Sequence, residues 1–173
     1  MLLPSANWKW FINQQSRALM VELDAGLIFQ TAYNESQLKN VPQHVLFDIH
    51  HCQFFMESVE ALEASGVPFD NSAKLQIGLN ATAALSFHKP VLNKSWLYEK
   101  KTSCLIGPYM QLAWLSIKDN TLLMLSLKHE GNTVLCLNLS ETFETNDGKT
   151  HPQFCLISVL CDRLLSFDAL DVD

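Results

Sequence analysis

The sequence predicts an α+β fold, with an N-terminal β-hairpin or meander packed with helices and a C-terminal twisted, antiparallel, barrel-like β part. Three observations carry this. Near the start, Trp8, Trp10 and Ile12 alternate with Lys9, Phe11 and Asn13, which is the two-residue period of a strand. Between residues 51 and 88 the apolar spacing changes to that of helices. Beyond residue 109, short apolar runs recur at the ~8–12-residue spacing of a curled sheet or small barrel.

Taken in order, Trp8–Ile12 is followed by a polar turn, Asn13–Arg17, and a return strand with Leu19, Val21 and Leu23 on one face. Asp24-Ala25-Gly26 makes a second turn. A third strand opens at Leu27-Ile28-Phe29, so residues 7–31 read as a meander. A short helical patch near Glu35–Lys39 and a brief strand near Val45–Phe47 come next. From His51, the residues Cys52, Phe55, Met56, Val59 and Leu62 recur at helical spacing until Gly66 and Pro68 stop the helix. Asp70-Asn71-Ser72 offers caps for a second helix, roughly residues 72–88, which is apolar nearly all round and therefore buried. Pro90 ends it. Met110–Ile117, Leu122–Lys128 and Thr133–Leu139 read as strands. A fourth near Thr142–Thr145 leads into the Asp147-Gly148 hairpin turn. Phe154–Phe167 fits strand and helix equally, and the acidic tail from Asp168 is expected to fray. The seam between the two parts falls within residues 90–108, giving an α/β part over 1–92 and a β-rich part over 93–173.

Composition bounds the chemistry. At 173 residues, 48% hydrophobic and 17% charged, the chain can build a sizeable core and is not of the disordered class. No apolar run approaches the ~18 residues of a membrane-spanning helix, and Met1–Ser5 lacks the basic flank and length of a secretory signal. A cytoplasmic protein is expected. The five cysteines, at 52, 104, 136, 155 and 161, show no C-x-x-C pair and read as buried, reduced thiols. The net charge of −6 argues against general nucleic-acid binding. Yet residues 74–128 hold Lys74, Lys89, Lys94, Lys100, Lys101, Lys118 and Lys128 against only Glu99 and Asp119. Such a basic middle offers an acidic partner one electropositive face, or simply solubilises scattered surfaces.

Catalytic signals are sparse. The six glycines are too scattered for a phosphate loop or a dinucleotide fingerprint, and neither a G-x-S-x-G nor an H-E-x-x-H is present. Asp48, His50, His51 and Cys52 have metal-ligand chemistry, but neighbours on one element point apart, and a helix start with solvated histidines is the stronger reading. A Cys-His nucleophile needs an electropositive setting, which only Cys104, beside Lys100 and Lys101, has in sequence. Trp8 and Trp10 share a strand face and belong to the core, with an apolar pocket or protein-binding groove as the alternative. No catalytic residue, metal or cofactor is assigned. The composition reaches a globular binding or structural protein and stops there.

Several segments together resemble the ZapC family of cell-division proteins. Asn7-Trp8-Lys9-Trp10 stands where that family has Asn-Trp-basic-Trp. Leu19–Leu23 and Gly26–Phe29 match its strand, glycine turn and next strand, with Val21 at a position where the family has Leu. Leu79-Asn80-Ala81, Lys89-Pro90 with Lys94-Ser95-Trp96, Leu135-Cys136-Leu137 and Asp162-Arg163-Leu164 follow in the family's order and spacing. The resemblance implies a bacterial protein of the midcell division ring, without catalysis or cofactor. It would bind FtsZ, promote lateral association and stability of FtsZ protofilaments, and lower FtsZ GTPase activity. On that footing Lys89 and Lys94 are expected to make an electrostatic contact with FtsZ, while Trp8, Trp10, Val21 and Arg163 line a pocket and its rim. The resemblance leaves no role for nucleic acid or membrane, and the protein is expected to be a monomer or to self-associate weakly. An adaptor or chaperone for another partner, a Cys-His or metal enzyme, and a nucleic-acid-binding factor are the alternative readings.

Overall fold

The computed structural model describes residues 3–102, 107 and 109–170, with side chains to residue 168. It contains two helices, eleven strands and several single 3-10 turns among these residues. Two compact units are distinguished, one of residues 1–60 and 68–90, the other of residues 61–67 and 91 onward.

In the first unit, β1 (Lys9–Ile12), β2 (Ala18–Glu22), β3 (Ile28–Asn34) and β4 (Val45–Leu46) form an antiparallel sheet in the order β3-β2-β1-β4. The strand period places Trp8, Trp10, Ile12, Leu19 and Val21 on the inner face, and all five are buried. Helix α1 spans Ile49–Ala64 and α2 spans Asn71–Phe87. Asp70 caps α2, its carboxylate accepting from the Ala73 N–H at 2.7 Å. Around Ile77–Ala84 this helix is buried on every side. There Gly78 admits the Phe55 ring of α1, whose carbons lie 2.7 and 2.8 Å from where a Cβ would stand. The aromatic centre is tightly interlocked. Trp10 stacks on Phe47 at 5.5 Å and meets Phe87 edge-on, while Trp8 meets Phe47 and Phe55 edge-on. Along β3, the Ala32 N–H donates to the Asn80 side chain of α2 at 2.8 Å, so a helix residue satisfies the edge strand.

The sequence placed His50 and His51 in solvent at a helix start. His50 is exposed, but His51 is buried at 6% exposure. Its Nδ1 accepts from the Trp10 indole N–H at 3.3 Å and from the Asp48 N–H at 3.0 Å. A buried indole donor needs an acceptor, and His51 supplies it.

The second unit is built on β5 (Gln111–Ile117), β6 (Asn120–Glu130), β7 (Thr133–Asn138), β10 (Leu156–Leu160) and β11 (Leu164–Ser166), in the order β10-β7-β6-β5-β11. A small hairpin of β8 (Phe143–Glu144) and β9 (Thr150–His151) turns at Asp147-Gly148. The expected strands are thus present, and Phe154–Phe167 resolves into two strands split by a 3-10 turn at Cys161–Arg163. Leu160 and Leu164 are four Cα steps apart yet belong to strands on opposite edges. Four steps reach at most about 15 Å, whereas five flat strands would separate their edges by about 19 Å. The sheet therefore curls strongly. It does not close, because β10 and β11 do not pair, so the barrel-like part is an open, rolled sheet. Its core holds Tyr98, Ala113, Leu115, Ile117, Met124, Val134, Cys136, Ile157, Val159 and Leu164.

The cysteines depart from the sequence expectation of buried, reduced thiols. Cys161 is disulfide-bonded, so the chain's thiols are not all reduced, while Cys52, Cys136 and Cys155 are free. Of the tail expected to fray from Asp168, residues 171–173 lie outside the described residues. Phe167–Leu170 forms a 3-10 turn, held where the Trp114 indole stacks on Phe167 and donates to its carbonyl at 3.0 Å.

Candidate partner-binding surface

Pro90 ends α2, and the chain then runs beside the free edge of β10. Asn93 bridges to Ser158 in parallel register, and the Lys94 N–H donates to the Ser158 carbonyl at 3.3 Å. A single 3-10 turn follows at Ser95–Leu97. Ser95 is buried and anchors this strap by every polar group it has. The Asn93 carboxamide accepts from its N–H and hydroxyl, and its hydroxyl oxygen accepts from the Leu160 N–H at 2.7 Å. Its carbonyl accepts from the Arg163 Nε at 3.0 Å and from the Tyr98 N–H. The strap goes on to bond β5 through the Glu99 N–H to Ser116, and the 161–163 turn through the Lys101 N–H to Asp162. It thus runs along the opening between the two sheet edges.

With Ser95 and Tyr98 turned inward and Leu97 packed on the core, Trp96 is left pointing out, 73% exposed. Leu92 is 80% exposed, and Leu160, whose backbone is tied to Ser95, is 37% exposed. Three cations lie on the strap and the adjoining 161–163 turn. Lys94 reaches Asp147 at 3.4 Å, Lys100 reaches Asp162 at 3.7 Å, and Arg163 shares that same Asp162. Two cations on one carboxylate leave a local positive excess. Hydrogen bonding, first from the Thr145 hydroxyl and then from Lys149 and Lys94, holds the Asp147 carboxyl below its ordinary range. An exposed tryptophan on a strap that also carries Lys94 and is held by Arg163 has the composition of an interface centre rather than of a solvated surface.

The other sequence-named residues lie elsewhere or act differently. Lys89 is exposed in the first unit, its ammonium donating to the Ser36 carbonyl at 2.8 Å. Trp8, Trp10 and Val21 are fully enclosed, Trp10 and Val21 as direct cross-strand neighbours, and they pack the core of the first unit. The six residues named in advance thus fall into three places: Trp8, Trp10 and Val21 meet in the first unit's core, Lys89 lies apart from them on that unit's surface, and Lys94 and Arg163 flank Ser95 in the second unit. Trp96 was not singled out as a site residue. Its signal was present, a tryptophan in Lys-Ser-Trp with no helical or strand period around it.

The described thiols do not suit nucleophilic work. Burial pushes Cys136 and Cys155 up to about 12, and desolvation followed by the Asp48 charge raises Cys52, the opposite of what a reactive thiolate needs. Cys104 lies outside the described residues. Among the described residues, no group of three or more His, Cys, Asp or Glu is placed to hold a metal ion, and no helix is long and apolar enough to cross a membrane.

Comparison with known proteins covers both units. Residues 1–89 match the family model described as cell-division protein ZapC, N-terminal, and residues 90–170 match that described as cell-division protein ZapC, C-terminal. A protein of Pseudoalteromonas atlantica named cell division protein ZapC is 35% identical over 170 residues, covering 95% of this chain and 93% of its own length. Proteins of the same name from Pseudoalteromonas translucida and Shewanella woodyi are 31% and 27% identical, each over 95% of this chain and over 93% and 91% of their own lengths. With both halves matched in order across nearly the whole length, this chain belongs to the ZapC family of cell-division proteins.

Proposed function

We propose that this protein is a cell-division accessory factor that works by binding FtsZ filaments at the midcell ring in the cytoplasm. There it promotes their lateral association and stability and lowers GTP hydrolysis. Family membership supports the process, and the exposed Trp96 between Lys94 and Arg163 supports a protein-binding mode. A factor that binds assembled filament more tightly than free subunit shifts the equilibrium toward filament by that difference in affinity. Slower subunit turnover then lowers GTP hydrolysis without any chemistry by the binder.

In this reading Trp96 and Leu92 bury their apolar surface against the filament, and Lys94 and Arg163 set orientation and association rate. Lys89 adds a second electrostatic contact from the first unit. Trp8, Trp10 and Val21 support binding through the packing of that unit.

The test is co-sedimentation of purified FtsZ with GTP, weighing both proteins in the pellet and following phosphate release. Co-pelleting with more polymer and slower hydrolysis is expected, and Trp96→Ala should weaken binding at least about tenfold. A wild-type protein that stays in the supernatant at micromolar concentration would refute the FtsZ assignment and favour an adaptor for another partner. If Lys89→Glu combined with Lys94→Glu pellets as well as wild type, the electrostatic contact is wrong.

A further inference from the structure

The outer face of the first unit's sheet is uncovered, and its side chains form two ordered rows. Cross-strand partners share a face, so the registers Ile28↔Glu22, Glu22↔Lys9 and Lys9↔Leu46 align Ile28, Glu22, Lys9 and Leu46 in one row across four strands. All four are exposed, Ile28 at 59% and Leu46 at 55%. The next row on the same face is Gln30, Met20, Phe11 and His44. It follows from the registers Met20↔Gln30 and Phe11↔Met20, and from the His44 ring stacked on Phe11 at 6.1 Å. Read across the sheet, the first row runs apolar, acid, base, apolar. The second runs polar, apolar, apolar, polar.

Both rows are self-complementary. Consider a two-fold axis parallel to the strands, lying above the sheet midway between β1 and β2. It lays a second copy face to face and reverses the order of each row. Ile28 then meets the second copy's Leu46, Glu22 meets its Lys9, Met20 meets its Phe11 and Gln30 meets its His44. Each contact occurs twice, as a two-fold interface requires. Aligned face-to-face packing is a normal arrangement for two sheets. Among the described residues, neither Lys9 nor Glu22 makes an ion pair within its own chain, so both are available.

We propose that this face is a self-association surface for a second copy of the chain. The contact is small and engages only when copies are concentrated, as on neighbouring filaments. It does not rest on the identity of the filament partner. Where that partner is FtsZ, a paired protein carries two Trp96 surfaces and bridges two filaments.

The test uses sedimentation equilibrium of the full chain up to sub-millimolar concentration, without any partner. Wild type should show monomer–dimer exchange. Lys9→Glu and Glu22→Lys should each weaken it at least about tenfold, since each sets like charges facing between copies. An equimolar mixture of the two variants should restore dimer, because each chain then meets its opposite. That restoration separates contact between copies from the cross-strand pair inside one chain. Ile28→Lys mixed with Leu46→Glu provides the same reading with residues at opposite edges of one sheet, which face each other only between copies. A wild type monomeric at every concentration would overturn the proposal, as would mixtures that fail to associate better than the separate variants.

Discussion

Ser95 and Trp96 are adjacent and have opposite surroundings, and that contrast separates stability from binding. Replacing Ser95 by alanine removes the acceptor of the Leu160 N–H and should cost about 0.5–1.5 kcal/mol, read from urea denaturation. Trp96→Ala removes an exposed side chain and should change stability by no more than about 0.5 kcal/mol while abolishing most partner binding. If Trp96→Ala unfolds the protein, the outward assignment is wrong. His51 makes a pH-dependent claim. Desolvation lowers its pKa, partly opposed by the nearby Asp48 carboxylate. The folded state therefore binds fewer protons than the unfolded chain as the pH falls past the ordinary histidine value of about 6.5. Stability should fall through that value and keep falling until the folded pKa is passed. Burial lowers His88, His129 and His151 as well, so their contributions carry the same sign. Denaturation midpoints at about pH 7.5 and about pH 5.5 give the slope. His51→Gln, which keeps an acceptor for the Trp10 indole, should flatten it. Neither the burial of His51 nor the role of Ser95 was legible in advance, because each follows from hydrogen-bond demands made by residues far away in sequence.

Between elements, α1 and α2 approach closely at Gly78. Alanine there gains about 1 kcal/mol of helix propensity, but its Cβ would overlap the Phe55 ring, and overpacking costs about 1–3 kcal/mol. Gly78→Ala should therefore be neutral to destabilising, and combining it with Phe55→Leu should recover more stability than Phe55→Leu alone predicts. Additive effects in a double-mutant cycle would show that the two residues do not press on each other. Elements with a clean period were read correctly from sequence. The Trp8–Ile12 alternation gave β1, the all-round apolar run gave α2 with its Asp70 cap, and Asp147-Gly148 gave the small hairpin. Strand order was not legible, since alternation assigns faces and not neighbours. Phe154–Phe167 stayed ambiguous for a related reason. Phe154 takes a left-handed φ of 66°, and the 3-10 turn at Cys161–Arg163 interrupts the period of two short strands.

For the molecule as a whole, the basic middle read from composition becomes a set of local pairs rather than an open cationic face. Lys94, Lys100, Lys101 and Lys128 each have a carboxylate within 4 Å. Partner binding should therefore weaken only moderately with added salt, and Lys94→Glu should reduce the salt slope while Trp96→Ala leaves the slope intact and lowers affinity at every ionic strength. Co-sedimentation across a salt series measures both. Equal salt slopes for all three proteins would remove Lys94 from the contact. The rolled sheet of the second unit also bears on how the protein is made. Strand β5 pairs on one side with β6 at once, but its other side waits for β11, which follows residues 118–163. At ribosomal speed that is a delay of about 2–9 s. Throughout it, the nascent chain presents one unpaired edge of a strand that carries leucine, alanine and tryptophan, a template for sticking to other newly made chains. Demand for chaperones in this protein should thus peak late in synthesis and end once Leu164–Ser166 docks.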